Sequence, residues 1–393
     1  MNFSVVNPTV SIVRCADIHN FQAIKEALDR ALDLIGGSET FICQGDMVII
    51  KPNLIKPAHY KTGTITNPFL IEAVCRTAKE KGAKRVIIAD GAAVGYDTEK
   101  AFDKAGLRDV AKREGVELFD FKRSEWVNVP VPYGKVLHRI KLPRIFLEAD
   151  VVVNIPVMKT HDVFPATLGI KNMKGVIREE DKKRFHRWGL SQAIVDLNKV
   201  ALPDLTIIDG TVGMEGLGPT HGEPVNLGVI IVSRDVVAAD SVASTVMGID
   251  PVEIEYVKLA EKEGLGCADL SKIEIVGERL ESIIRPFKRI KLDFKKYEEK
   301  GVFILERGAC SGCRHNMESI ISNLEREGKL GYLKGFHIVF GQLARMPEKV
   351  KGKLVFIGLC TRKFKNKGYY IPGCPPHPED IIDKLEKIKN RVT

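Results

Sequence analysis

Short runs of apolar, mostly β-branched residues alternate with helical patterns between residues 45 and 245, and this alternation limits the folds open to the chain. The runs stay apolar throughout, which is typical of strands buried on both faces. They are MVII (47–50), RVIIA (85–89), ADVVVNIPV (149–157), LTIID (205–209) and LGVIIVS (227–233). Helical patterns lie between several of these runs or follow them, at 69–82, 98–115 and 235–248. The pattern predicts an α/β fold with a mostly parallel sheet covered by helices.

A basic segment of mixed periodicity, residues 281–300, interrupts this alternation. After it, strand and helix patterns resume on a smaller scale, with strands at 301–307, 336–341 and 353–359 and helices at 314–327 and 378–390. We therefore predict an α/β domain over 1–280, a basic linker over 281–300 and a small flavodoxin-like α/β module over 301–393.

Positive charge is concentrated in the last quarter of the chain. The net charge is +9, and residues 301–393 hold 17 Lys and Arg against 9 Asp and Glu. This excess fits either an ordinary solvated surface or a docking face for an acidic partner. Nucleic acid is not an expected partner, because the sequence has no basic stripe with interleaved aromatic residues and no nucleic-acid-binding motif.

Several features predict a cytoplasmic protein that does not enter a membrane. No apolar run approaches the roughly 18 residues that a membrane-spanning helix needs. The first residues, MNFSVVNPTVSIVRC, lack the basic and long apolar regions of a signal peptide. The abundance of Lys, Arg and Glu fits a thermophile. The sequence predicts no particular oligomeric state.

Four of the eight cysteines lie near the C-terminus, next to the carboxyl ends of predicted strands. Cys310 and Cys313 form a CSGC element between a strand and a helix, Cys360 ends IGLC, and Cys374 lies in PGCPP. In a parallel sheet such ends share one edge, so we expect the four thiols to converge at the N-terminus of a helix, which stabilises thiolates. The isolated cysteines fit small buried apolar residues: Cys15, Cys43, Cys75 and Cys267.

Four converging thiolates fit a [4Fe–4S] cluster, a zinc ion or redox-active thiols. Structural zinc sites usually have two CxxC pairs, whereas this chain has one pair and two single cysteines, of which one precedes a proline. Cys-Pro is a familiar context of cluster ligands, because proline fixes the backbone that carries the thiolate. These features favour the cluster.

The order CSGC, GLC and IPGCPPHPEDII, over about residues 301–390, resembles the cluster module of nickel–iron hydrogenase small subunits and of the related cluster-bearing subunit of NADH:quinone oxidoreductase. The resemblance implies that Cys310, Cys313, Cys360 and Cys374 are ligands of a [4Fe–4S] cluster. The segment after the third cysteine, TRKFKNKGY, is basic here, whereas those proteins have a glycine-rich, acidic segment at this place.

Polar side chains follow the predicted strands of the large domain. Solvated loop ends would explain single examples, but successive strands that deliver polar groups to one edge indicate a site. We predict that the following residues bind the substrate there: Lys51, Asn53, Asp90, Asp209 and Glu215.

The segment 158–189 is the richest in cations and supplies the candidate catalytic residues. These are Lys159, His161, Lys171, Lys174 and His186. Cations close to glycines suit an anionic substrate, either a carboxylate or a phosphate. The histidines fit acid–base or metal-binding roles, although a single histidine is more often structural. A Walker A loop and a GxGxxG element after a strand are both missing, so nucleotide binding is weakly supported.

The large domain is similar to the family catalogued as domain of unknown function 362. The matching segments include KPN (51–53), IADG (88–91), NIPVMKTH (154–161), TLGIKNMKG (167–175) and DGTVGMEGLGP (209–219). The family's name assigns no activity, and many members carry iron–sulfur modules. A fainter similarity is to nickel-dependent lactate racemase. It implies that His161 and either Lys171 or Lys174 correspond to an active-site histidine and lysine.

Together, these features predict an iron–sulfur oxidoreductase or electron-transfer protein. In this hypothesis the cluster passes single electrons between an acidic electron carrier, such as a ferredoxin, and a small anionic substrate bound by the large domain. One alternative is a non-redox isomerase or lyase with a structural or sensing cluster. Another is a carrier or maturation protein that delivers a cluster or metabolite to another enzyme.

Overall fold

The computed structural model describes residues 7–161, 164–290, 293–376 and 378–390. The chain divides into two compact units, of which the first ends at Arg289 and the second begins at Ile290. This boundary lies within the segment 281–300, the predicted linker. Phe287 is buried in the core of the first unit. Phe294 and Tyr297 are buried in a 3₁₀ helix, Phe294–Lys300, that belongs to the second unit.

The first unit alternates strands and helices along the chain. Its strands are β1 (Thr9–Arg14), β2 (Met47–Pro52), β3 (Arg85–Asp90), β4 (Glu117–Asp120), β5 (Trp126–Pro130), β6 (Arg139–Pro143), β7 (Val151–Ile155), β8 (Val157–Thr160), β9 (Ala166–Thr167), β10 (Leu205–Glu215), β11 (Glu223–Ser233) and β12 (Glu274–Gly277). Its helices are α1 (Phe21–Asp33), α2 (Pro68–Glu80), α3 (Thr98–Lys104), α4 (Leu107–Glu114), α5 (Arg144–Leu147), α6 (Gly169–Asn172), α7 (Glu179–Trp188), α8 (Leu190–Asn198), α9 (Val236–Val246) and α10 (Glu255–Lys262).

The main sheet has the strand order β12-β1-β11-β10-β7-β2-β3-β4, with β8 beside β10 and β9 beside β8. The neighbouring strands from β10 to β4 are parallel. β11 is antiparallel to both β10 and β1, and β5 and β6 form a separate antiparallel hairpin. The mostly parallel α/β fold that the alternation predicts is thus confirmed.

Both faces of this sheet are buried, which explains why its strands are apolar throughout. In β2, Val48 and Ile50 belong to a core that includes Leu28 of α1 and Leu70 of α2. Ile49, between them, belongs to the other core, with residues of α8 and α9. Successive side chains of a strand point to opposite faces, so each strand contributes to both cores.

The order of the strands reverses between β2 and β7. From β2 the chain continues outward to β3 and β4, then returns to β7 on the other side of β2 and continues to β10. In open α/β sheets, ligands bind beyond the carboxyl ends of the strands at such a reversal, because the connections leave in opposite directions and open a crevice. The predicted site residues after β2 and β7 therefore lie where this rule locates a site.

The second unit contains a sheet of four parallel strands with helices α11 (Ser311–Arg326) and α12 (Pro378–Asn390), which pack against each other. The strands lie side by side in chain order, as β13 (Phe303–Glu306), β14 (Phe336–Phe340), β15 (Lys353–Ile357) and β16 (Tyr369–Ile371). A flavodoxin-like sheet has its first strand inside, in the order 2-1-3-4-5. Here the connections after β14 and β15 are short, so each strand pairs with the one before it.

Candidate functional site

The carboxyl ends of β2 and β3 hold a buried ion pair. Lys51 Nζ lies 3.0 Å from Asp90 Oδ1, and the two side chains are 1% and 3% exposed. Asp90 also accepts hydrogen bonds from the backbone N–H groups of Leu54 and Gly91, each at 2.8 Å. Burial lowers the pKa of Lys51, while the carboxylate of Asp90 opposes that change. Both charges remain inside the protein because each has a charged partner and further hydrogen bonds.

Gly175, at the end of TLGIKNMKG, lies directly over this ion pair. A Cβ atom at Gly175 would be 2.6 Å from Lys51 Nζ and closer still to Asp90 Oδ1. The segment can approach the pair this closely only because glycine has no side chain. The glycine of this segment thus covers the ion pair with backbone.

Hydrogen bonds between asparagines connect the two strands that flank the crevice. Asn53, after β2, donates from Nδ2 to Asn172 Oδ1 at 2.9 Å, and Asn172 Nδ2 donates to Asn154 Oδ1 of β7 at 2.8 Å. Lys159 Nζ donates to Asn53 Oδ1 and, at 2.9 Å, to the carbonyl of Thr64. Lys159 is therefore held beside the strand reversal by neutral acceptors.

Three of the predicted lysines are close enough to interact electrostatically, and we call Lys159, Lys171 and Lys174 the lysine group. Burial lowers the pKa of Lys159 well below that of an ordinary lysine, and nearby Lys171 lowers it further. Burial and the charge of Lys171 act in the same direction on the pKa of Lys174. Lys171 Nζ donates to Thr167 Oγ1 at 3.2 Å, and Lys174 Nζ lies 3.2 Å from His186 Nε2. A bound anion would relieve the mutual repulsion of these lysines.

The two predicted histidines have different surroundings. His186, on α7, is the neighbour of Lys174, which belongs to the lysine group. His161 directly follows β8, and its ring lies 5.7 Å from that of Phe164, measured between centroids. His186 therefore contacts the lysine group directly.

Lys182 is a further buried cation, and the sequence patterns do not single it out. It donates from Nζ to the carbonyl oxygens of Gly91 and Ala92, at 2.8 and 3.1 Å. Burial lowers the pKa of Lys182 to about 7, and Asp90 opposes that shift. Its spacing of three residues from the buried Phe185 is a signal that could have identified it, because such residues share a helix face.

Lys182 leads to a prediction about the pH dependence of stability. Its pKa is about 7 in the folded chain, whereas the pKa of a lysine in an unfolded chain is about 10.4. Between these values the unfolded state binds more protons, so the free energy of unfolding rises with pH. From pH 7 to pH 9 we expect the wild type to gain about 2 kcal/mol more than Lys182→Met.

Urea denaturation at several pH values measures this difference. The matched control is Lys183→Met, because Lys183 lies on the same helix and is partly exposed. In this control, the free energy of unfolding should rise with pH as steeply as in the wild type. An unchanged slope in Lys182→Met would contradict the prediction.

Asp240 is a second buried group that the sequence patterns do not single out. Its carboxyl oxygens accept hydrogen bonds from the backbone N–H groups of Gly169 and Ile170, at 2.6 and 3.0 Å. Burial raises the pKa of Asp240 to about 8. Asp240 thereby anchors the start of α6, which carries Lys171. A lone carboxylate in the apolar run VVAADSVAS is the signal that could have identified it.

Two predicted substrate-binding carboxylates are engaged in structural hydrogen bonds. Asp209 lies within β10 instead of after it, and Oδ2 accepts from the backbone N–H of Asn67 at 2.8 Å. Its Oδ1 accepts from the N–H and the hydroxyl of Thr211, at 2.9 and 2.6 Å. Glu215 accepts hydrogen bonds from both terminal nitrogens of Arg285. These bonds account for both buried carboxylates without a ligand.

In the second unit, the four C-terminal cysteines lie at one edge of the sheet. Cys310 follows β13 and immediately precedes α11, Cys313 lies in the first turn of α11, Cys360 follows β15, and Cys374 follows β16. A hydrogen bond with Cys313 lowers the pKa of Cys310 to about 6, assisted by backbone N–H groups. The same bond, burial and the charges of the other three thiols raise the pKa of Cys313. All four thiols are therefore within electrostatic reach of one another.

Backbone bonds hold the cysteine segments together. The N–H of Gly358 donates to the carbonyl of Ile371 at 2.9 Å, and that of Leu359 donates to Gly373 at 2.8 Å. Asn316 Nδ2, on α11, donates to the carbonyl of Pro376 at 2.7 Å. The segments that carry Cys360 and Cys374 are thus tied to each other and, through Asn316, to the helix that carries Cys313.

The donor set fits a [4Fe–4S] cluster in number and chemistry. A Cβ atom at Gly358 would lie 3.5 Å from the sulfur atoms of both Cys313 and Cys360, so glycine leaves space next to these thiols. Each thiolate of such a cluster binds a different iron atom, which requires a wider spacing than ligands of one ion. Within the described ranges, no group of three or more His, Cys, Asp or Glu side chains could hold a metal ion as it stands. Cluster ligation remains a prediction.

The fold defines a mixed α/β protein in which several lysines lie near a reversal of strand order. The chain belongs to the family described as Domain of unknown function (DUF362), whose profile matches residues 48–245. These residues include Lys51, Asp90, the lysine group and Asp240.

Comparisons with individual proteins gave two further similarities. The Thylakoid-associated protein sll1697 of Synechocystis sp. (strain PCC 6803) is 28% identical over 265 residues, which are 65% of this chain and 80% of that protein. The lactate racemase apoprotein from Thermoanaerobacterium thermosaccharolyticum matches with a TM-score of 0.42 and 15% identity over 62% of this chain. This chain spans 58% of the length of that structure. In the part of the chain that is described, no helix has the length and apolarity to cross a membrane.

Proposed function

We propose that this protein is an iron–sulfur protein that acts as an oxidoreductase or electron-transfer protein on a small anion. In this proposal Cys310, Cys313, Cys360 and Cys374 bind a [4Fe–4S] cluster, and the crevice of the first unit binds a carboxylate or a phosphate. The observation that carries the proposal is the convergence of four thiols at one edge of the second sheet, with Cys310 at the N-terminus of α11.

When bound, the cluster supplies one-electron transfer. The residues of the chain prepare its thiolates. Hydrogen bonds from Cys313 and from the first turn of α11 favour the thiolate form of Cys310. Gly358 provides space beside Cys313 and Cys360. The buried hydroxyl of Thr361 donates to the carbonyl of Gly358 at 2.8 Å and fixes the turn before Cys360.

The lysine group supports an anionic substrate. Lys159 donates to the carbonyl of Thr64, Lys171 donates to the hydroxyl of Thr167, and Lys174 lies beside His186. Burial and the charge of Lys171 both lower the pKa values of Lys159 and Lys174. A bound anion would stabilise the charged forms of Lys159 and Lys174 and would oppose the effect of burial on their pKa values. Charge-assisted hydrogen bonds are also stronger than bonds between neutral groups.

Metal analysis under anaerobic conditions tests the cluster. We expect about four irons and four inorganic sulfides per chain, brown colour, and an electron paramagnetic resonance signal after reduction with dithionite. Zinc in place of iron, with no visible absorption, would contradict this part of the proposal.

Anion binding by the first unit is tested with inorganic phosphate and succinate. We expect both to raise the melting temperature more at pH 6 than at pH 8.5, because lysines of lowered pKa must gain protons to bind anions. Lys174→Gln should weaken binding about 10- to 100-fold, since it removes a charge-assisted bond. Lys100→Gln, an exposed site on α3, is the matched control. Equal anion affinity in Lys174→Gln and Lys100→Gln would contradict the proposed role of Lys174 in anion binding.

One observation favours the non-redox alternative as a second candidate. The 3.2 Å separation of Lys174 Nζ and His186 Nε2 would allow the pair to share a proton and act as an acid–base couple. An isomerase or lyase would keep its activity with an oxidised cluster, whereas an oxidoreductase would depend on the redox state. Assays with the oxidised and reduced protein therefore distinguish the two candidates.

A further inference from the structure

Two loops at the cysteine edge of the second unit expose large apolar side chains. The first loop, 341–346, follows β14, and the second, 358–363, follows β15. Leu343 is 69% exposed, the highest value for a large aliphatic side chain among the described residues, and Met346 and Leu359 are 45% and 49% exposed. Large apolar side chains that are exposed on neighbouring loops at one sheet edge commonly mark a binding surface.

These side chains border the four thiols. Leu343 lies against Gly308, two residues before Cys310, and its N–H donates to the carbonyl of Arg307 at 2.9 Å. Leu359 directly precedes Cys360, which is itself exposed. A molecule that covers the two leucines would therefore also approach the thiols.

The same two loops carry exposed cations. Arg345 lies in the first loop, Arg362 and Lys363 lie in the second, and all three are exposed. Neither loop contains an Asp or Glu. A small apolar centre with a rim of one charge is typical of short-lived complexes, in which charge guides the encounter and fixes the orientation.

We propose that this surface docks a small acidic protein that carries one electron in an iron–sulfur centre. The cysteine-edge surface is defined by Leu343, Met346, Leu359, Arg345, Arg362 and Lys363. The inference rests on the proposed cluster. In the transfer step the reduced carrier loses one electron, the oxidised cluster gains it, and no covalent bond forms or breaks.

Charge complementarity and the position of the thiols support this occupant. A second copy of the chain would bring a cationic rim against another cationic rim, which opposes association. An anionic lipid surface would also complement the cations, but lipid neither donates nor accepts an electron. The cysteine-edge surface borders the residues assigned to the cluster, so its occupant is expected to exchange electrons with that cluster. A compact acidic carrier satisfies both the charge and the chemistry.

Stopped-flow kinetics with a reduced acidic ferredoxin as the probe tests the surface. With the wild type, the second-order rate of cluster reduction should fall about 10- to 100-fold between about 0.05 M and about 0.5 M salt. The double variant Arg345→Glu/Arg362→Glu should be about 10- to 100-fold slower at low salt. Leu343→Asn should slow the reaction with little change in its salt dependence, because it removes contact area and no charge.

The matched control is Lys334→Glu/Lys387→Glu. Lys334 precedes β14 and Lys387 lies in the last turn of α12, and both are exposed. This control has the same change in net charge and should react at nearly the wild-type rate. Iron content and reduction by dithionite should be equal in all variants.

The outcomes separate this inference from the proposed function. A protein without iron would overturn the proposed function and the docking inference with it. A cluster that dithionite reduces normally, but that ferredoxin reduces at a rate independent of salt and of Arg345 and Arg362, would overturn the docking inference alone. Equal slowing in the control would attribute the effect to net charge and would also overturn it. A third outcome would also overturn the docking inference: the wild type binds vesicles of anionic lipid, Arg345→Glu/Arg362→Glu does not, and the two react with ferredoxin at the same rate.

Discussion

Replacement of Cys374 by serine is expected to lower the iron content from about four irons per chain to less than one. Iron–sulfur clusters are held by thiolates, and a serine hydroxyl is a harder ligand that is protonated at neutral pH. Cys374 lies in a segment that is tied by hydrogen bonds to the segment of Cys360, so a substituted residue 374 would keep its place but lack the donor atom. Iron, sulfide and visible absorption measure the loss.

The control for this variant is Cys43→Ser. Cys43 belongs to the first unit and lies outside the cysteine edge, and it is exposed, so the expectation that it is buried was wrong. It should retain the full iron content and the spectrum of the wild type. Full iron content in Cys374→Ser would show that Cys374 is not a ligand, and loss of iron in Cys43→Ser would point to general damage by thiol replacement.

Removal of one partner from the buried pair Lys51–Asp90 is expected to have the largest effect on stability. Asp90→Ala would leave the Lys51 ammonium inside the protein without its carboxylate, 1% exposed. Breaking such a pair costs about 3–5 kcal/mol, because an uncompensated charge remains buried. The variant also removes the acceptor of the Leu54 and Gly91 N–H groups. The unfolding transition of the first unit in urea measures the change in its free energy of unfolding.

An exposed ion pair on the same strand provides the control. Arg85, at the start of β3, bonds to Glu117 of β4, and these side chains are 42% and 52% exposed. Arg85→Met should cost about 1 kcal/mol or less, because solvent screens exposed pairs. The double variant Lys51→Met/Asp90→Ala should recover part of the stability lost in Asp90→Ala. Equal costs for Asp90→Ala and Arg85→Met would contradict the assigned role of burial.

The sequence predicts the strands better than their order. The apolar runs identify β2, β3, β7, β10 and β11 because buried strands need continuous apolar side chains. Strand order depends on which surfaces fit together across the folded chain, and no local pattern encodes it. The reversal between β2 and β7, which brings Asn53 and Lys159 into contact, is therefore a property that only the structure supplies.

Asp209 illustrates a different failure of local patterns. The pair Asp209-Gly210 suggests that the strand ends there, since glycine after aspartate is typical of a turn. Instead, β10 continues to Glu215 alongside β11. A Cβ atom at Gly210 would be 2.7 Å from Met158 Sδ, so this glycine permits close packing inside the sheet. A glycine that serves packing and one that serves a turn look the same in the sequence.

Helix α7 shows why Lys182 is not predicted. Its sequence, EEDKKRFHRW, is so rich in charges that it looks like a solvated surface helix. Lys182 lies on the same face of the helix as Phe185 and donates to the carbonyl of Gly91, after β3, while its neighbour Lys183 remains partly exposed. The cysteines are easier to predict, because a thiol in CSGC or PGCPP is chemically distinctive wherever the chain places it.

The backbone hydrogen bonds between the segments of Cys360 and Cys374 also affect how exposure to oxygen would damage the protein. β16 is a three-residue strand at the edge of the second sheet, and Gly358–Ile371 and Leu359–Gly373 extend its pairing with β15 past the strand ends. A cofactor bound by both Cys360 and Cys374 would link these two segments a second time. Its oxidative loss would loosen the edge strand and expose unpaired backbone, which templates association with other chains. Oxygen damage would then appear first as aggregation, before any global unfolding of the chain.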